Sequence, residues 1–145
     1  MWWMLLIAVL GFVFWVHYSH SMSASDRVAV ALDLLKSSEF APAEGFEDAV
    51  VEDPTLSGWI QSGRDCVMHF RSEENGTVEE IVDFASTCFH PGLVIHYENG
   101  RAVRTAEGPI EDSAARQAAE DLLAGVRAAT QPAQAESSEY DGCHY

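Results

Sequence analysis

The hydrophobic and polar positions divide the chain into an apolar head, a mixed middle and a polar end. Met1 to Val16 carries no charged residue and no proline. A helix from Met1 to Tyr18 would be about 27 Å long at 1.5 Å per residue, against about 30 Å for a bilayer's hydrocarbon core. Trp2 and Trp3 stand at one end of this run and Trp15 and Tyr18 at the other, where aromatic rings settle at membrane–water interfaces. Residues 1–20 are therefore expected to form a single transmembrane anchor, with the lipid bilayer as a partner along Trp2 to Tyr18. A cleaved signal peptide is the competing reading: Ser21, Ser23 and Ala24 offer small residues, but there is no basic leader. No Lys or Arg precedes the run, whereas Arg27 and Lys36 follow it, which places the remaining domain on the cytoplasmic side.

Beyond the head the pattern turns mixed. Ser23-x-x-Asp26 is a helix-start signature, and Val28, Ala31, Leu32 and Leu35 recur at helical spacing, predicting a helix from about Ala24 to Ser37. Pro42 and Gly45 break the following stretch into loop. A short strand is expected at 48–52. A hairpin of Thr55–Gln61 and Arg64–Arg71 follows, with Cys66, Met68 and Phe70 on one face and Val67 and His69 on the other. Thr77-x-x-Glu80 matches a capping box ahead of Val78, Ile81, Val82, Ala85 and Phe89, which predicts a helix stopped by His90-Pro91-Gly92. Asn75-Gly76-Thr77 also matches a glycosylation sequon. Asn99-Gly100 predicts a hairpin of Leu93–Glu98 with Arg101–Thr105, setting Glu98 opposite Arg101. A last helix is expected over 113–129, and a disordered polar tail over 131–145.

The expected fold is α+β, in the order α-ββ-α-ββ-α. An antiparallel sheet of four or five strands packs with about three helices in one small soluble domain at 21–130. With 145 residues in all, the chain is long enough for one such core.

Charge narrows the choice of partners. The net charge is −15, with 23 acidic against 8 basic residues. The basic residues are scattered singly from Arg27 to Arg127, so no stripe suits nucleic acid and the overall field repels phosphates. Three cysteines, Cys66, Cys88 and Cys143, cannot all pair within one chain. The odd count fits a reducing compartment; outside one, a Cys66–Cys88 bridge would leave Cys143 spare.

Searches for chemistry return little. The chain has no P-loop, G-x-G-x-x-G, H-E-x-x-H, G-x-S-x-G or C-x-x-C. Thiolates and imidazoles suit zinc or copper, and Cys66, His69, Cys88, His90 and His96 are the weak metal candidates, alongside Cys143-His144. On a strand, Cys66 and His69 point to opposite faces, which weakens that set. A Cys–His nucleophilic pair needs a stabilised thiolate, which an acidic domain disfavours. His17 and His20, at helical spacing, mark the polar edge of the span.

No catalytic residue and no cofactor is assigned. The sequence is read as a non-enzymatic, single-pass membrane accessory, assembly or stabilising subunit that meets other membrane-protein subunits. The alternative is a membrane-tethered metal- or redox-handling domain built on its Cys and His residues.

Overall fold

The computed structural model describes the backbone of residues 2–20 and 22–143, and the side chains of these except 16–20, 90 and 131–143. The elements follow in the order α1 (Trp2–His20), α2 (Ala24–Ser37), β1 (Ala41–Pro42), α3 (Phe46–Glu52), β2 (Leu56–Ser62), β3 (Asp65–Glu74), β4 (Thr77–Ser86), β5 (Phe89–Glu98), β6 (Arg101–Thr105), β7 (Gly108–Pro109) and α4 (Ser113–Cys143). The seven strands form one antiparallel sheet in sequence order, β1 to β7.

Helix α2 begins where its cap predicts: the Ser23 side chain accepts a hydrogen bond from the Asp26 amide. Val28 and Ala31 of α2 and Ala119, Leu122, Leu123 and Val126 of α4 are buried against Ile60, Val67, Val82, Phe84, Leu93 and Ile95 of the sheet. The core therefore lies between one face of the sheet and the α2–α4 pair. Backbones approach closely twice. A Cβ on Gly125 would stand 2.7 Å from Leu35 Cδ2, and one on Gly58 would stand 2.4 Å from Thr130 Cγ2. At Gly58 the neighbours include the branched Thr130 Cβ itself, so a side chain there would push β2 and α4 apart, whereas at Gly125 only the tip of Leu35 would have to turn aside.

The opposite sheet face carries Trp59, Met68, Phe70, Ile81 and Val94, all half-buried. In register, Trp59 faces Met68, and Phe70 faces Ile81. Helix α3 lies beside β2.

Several expectations are corrected. The fold is α+β, but its sheet has seven strands rather than four or five. Thr77–Ser86 is a strand, not a helix: Val82 and Phe84 point to the core, while Ile81 and Asp83 point away. Residues 46–52 form a short helix in place of the expected strand at 48–52. Asn75-Gly76 (φ 54° and 80°) makes a tight two-residue turn, the same device as Asn99-Gly100 (φ 51° and 84°). Glu98 does pair in register with Arg101, and Val67 and His69 do share the face opposite Cys66. The final helix starts at Ser113 as expected and continues to Cys143; side chains of the polar tail at 131–145, Cys143 and His144 among them, lie outside the described residues.

The transmembrane anchor is also corrected. Among the described residues, no helix is long and apolar enough to cross a membrane. The single-pass membrane location, and the membrane side inferred from it, lose their support with it. Side chains of His17, Tyr18 and His20 lie outside the described set. Trp2 and Trp3 are each 82% exposed, and every side chain from Trp2 to Trp15 is exposed.

Candidate functional site

The inward face of the sheet is apolar except at one end. Alternation along β3 sends Val67, His69 and Arg71 to the helix side, and alternation along β4 sends Val78, Glu80, Val82 and Phe84 there. Register sets Arg71 directly across from Glu80, and Glu80 across from Tyr97. Helix α4 crosses above this end and contributes Arg127, one residue beyond the core side chain Val126.

Glu80 is 1% exposed, so its charge must be met by donors. It is met three times. His69 Nε2 lies 2.7 Å from Glu80 Oε2, Arg127 Nε donates to the same oxygen at 2.9 Å, and Arg127 Nη2 donates to Oε1. Burial pushes the Glu80 carboxyl up, but hydrogen bonds from Arg127 and His69 outweigh it and hold the group below its ordinary value. Glu80 in turn raises the Arg127 guanidinium. The His69 imidazole is lowered by burial, against the opposing pull of Glu80. A neutral ring that gives its Nε2 proton to Glu80 must carry a lone pair on Nδ1. That Nδ1 is buried and has no hydrogen-bond partner.

A groove of about 770 Å³ opens beside the triad, lined by His69, Arg71, Glu80, Asn99 and Arg127, among others. Its hydroxyls are occupied: Thr130 Oγ1 donates to the Val126 carbonyl at 2.8 Å, and Ser57 Oγ to the Thr55 carbonyl at 3.4 Å. The arrangement supplies guanidinium donors at its open side, from Arg71 and Arg127.

The candidates read from sequence are scattered. His69 lies in the triad. Cys66 is on the opposite face, where its Sγ accepts a hydrogen bond from Trp59 Nε1 at 2.9 Å. Cys88 is exposed in the β4–β5 turn, its amide bonded to Ser86 Oγ at 3.0 Å. His96 lies two strands from β3, facing away from the core, with its imidazole lowered by burial and by Arg104. The His90 side chain lies outside the described residues. Among the described residues, no three His, Cys, Asp or Glu side chains are grouped to hold a metal ion. Thus the structure brings His69 together with none of Cys66, Cys88 or His96.

Glu80, Arg127 and Arg71 were missed as site residues. Glu80 looked like half of a capping box. Arg127 did carry a signal, because it falls four residues after Leu123 beside an otherwise Ala- and Leu-rich stripe, where a charge needs a partner.

No family model matches the chain. Neither the curated proteins nor the solved structures provide a match.

Proposed function

We propose that the chain is a non-catalytic accessory or assembly subunit that docks on a partner protein through the sheet face opposite its helices. The observation that carries this reading is the row of half-buried apolar side chains on that face, Trp59, Met68, Phe70, Ile81 and Val94. Apolar side chains grouped on an outer sheet face, here interrupted by Asp83 between Met68 and Val94, mark interaction sites more often than scattered ones do. Large aromatic and sulfur-bearing side chains such as Trp59, Phe70 and Met68 are the types enriched in interface cores. The exposed apolar stretch of α1 supplies a second attachment element, since a helix that is apolar all round is stable only when covered.

The test is native purification of the tagged full-length chain, with the mass and metal content of the product measured. A stoichiometric protein partner, retained by wild type and lost in Phe70→Glu and Ile81→Glu, is expected. A partner-free monomer, or a partner held equally by both variants, would overturn the proposal.

A further inference from the structure

The outer face of the sheet carries one acidic side chain in the middle of its apolar row. Asp83 lies on β4, the central strand of seven, with Met68 directly across on β3 and Val94 directly across on β5. Phe70, Ile81 and His96 make up the adjoining row, two residues away along each strand. A hollow of about 390 Å³ has all three in its lining, together with Arg104.

Asp83 is half-buried, yet no hydrogen bond or ion pair reaches its carboxylate from the described residues. Burial pushes that carboxyl up, and no neighbouring charge pulls it back. The contrast with Glu80 is direct. The carboxylate on the inner face has donors from His69 and Arg127, whereas the one on the outer face is left to solvent. Docking on this face would remove that solvent. A carboxylate carried unpaired into an interface opposes binding, so the other side must supply its partner.

On the premise that this face docks a protein, we propose that its occupant is a segment of another protein presenting an arginine to Asp83, flanked by apolar side chains over Met68, Phe70 and Val94. A guanidinium fork matches a planar carboxylate, often through two parallel bonds, and sheds its hydration more readily than an ammonium. Arginine is also enriched in interface cores, where lysine is depleted. The hollow over Phe70, Ile81 and His96 gives room for an apolar neighbour of that arginine. The net charge of −15 draws a basic partner at long range and sets two copies of this chain against each other, which disfavours a second copy as the occupant.

The experiment is titration of the full-length protein with two capped peptides, Ser-Phe-Arg-Leu-Ser and Ser-Phe-Gln-Leu-Ser. Binding is read from the side-chain methyl resonances of Ile81 and Val94 and from the carboxyl carbon of Asp83. The arginine peptide should bind at least tenfold more tightly than the glutamine peptide and move the Asp83 carboxyl resonance. Asp83→Asn keeps the side chain's shape at an unpaired position, should fold, and should abolish that preference. Asp33→Asn makes the same charge change at an exposed position of α2, across the sheet, and should leave the preference intact. Equal binding of the two peptides, a preference that survives Asp83→Asn, or an equal loss in Asp33→Asn would overturn the arginine assignment. If both peptides bind alike and Phe70→Glu abolishes both, the docking face stands and only its arginine falls. If neither peptide moves the Ile81 and Val94 methyls, the face and its arginine fall together.

Discussion

Removing Arg127 tests whether α4 is held to the sheet by charge. Arg127→Met keeps much of the side chain's apolar length but removes two of the three hydrogen bonds to Glu80. Glu80, 1% exposed, would then hold its charge against His69 alone. Breaking one side of a buried ion pair costs about 3–5 kcal/mol. The Arg127 side chain is 42% exposed, so water can enter where it stood and replace part of the lost solvation. This sets the expectation at the lower end, about 3 kcal/mol. For a chain of this size that is a fall in Tm of roughly 10 °C. The double variant Glu80→Gln/Arg127→Met removes the orphaned charge and should recover at least 1 kcal/mol over the additive value. Urea unfolding followed by circular dichroism reads both of these variants and the single Glu80→Gln that completes the cycle. The pH adds a sign. Glu80 titrates below its ordinary value in the wild type, and its pairing stabilises the fold at neutral pH. The gap between wild type and Arg127→Met should close as acid protonates the carboxyl. A loss below 1 kcal/mol, strict additivity in the double variant, or a gap that widens in acid would refute the reasoning.

Gly58→Val should destabilise by about 1–3 kcal/mol in urea unfolding, because its Cβ would overlap Thr130 on α4. Asn99→Val combines a positive φ with loss of the bond to the Val78 amide, and should lower stability by about 2 kcal/mol in the same assay. Tyr97→Phe loses the hydroxyl's hydrogen bond to the Ala119 carbonyl, 2.7 Å long and buried, and should cost about 1 kcal/mol. Wild-type Tm should fall as pH drops below about 6.5, because His69 is lowered in the fold and the unfolded chain takes up the proton first. His69→Gln should flatten that part of the profile.

Legibility in the sequence followed local chemistry. The cap at Ser23, the alternation through Val67 and His69, and the Asn99-Gly100 turn each act within a few residues, and each was readable. Thr77–Ser86 was misread for a reason that lies at the site itself. A strand of this kind shows apolar residues at every second position on its inner face, but Glu80 occupies one of those positions. With that beat missing, the remaining Val78, Ile81, Val82 and Ala85 fit a helical spacing as well. Glu80 points inward because Arg127, 47 positions away, and His69 receive it there, a long-range fact that no local period contains. The same blindness hid the site: its members come from β3, β4 and α4 and are adjacent only after folding. Asn75-Gly76 carried the hairpin signal that would have corrected the reading, but the sequon matched the same residues and the capping box began at the next one, Thr77.

The two ends of the sheet have a consequence for solubility and assembly. Strands β1 and β7 are each two residues long, and each contains a proline, Pro42 and Pro109. Proline presents no amide hydrogen, and so short a segment offers hardly any free ladder to copy. Adding a strand edge to edge, the route to amyloid-like stacking, is thus disfavoured along β1 and β7 themselves, which cover Ile60–Gln61 of β2 and Arg104–Thr105 of β6. Copies that associate are thereby steered to side chains on the sheet's faces, and such contacts can be tuned one substitution at a time.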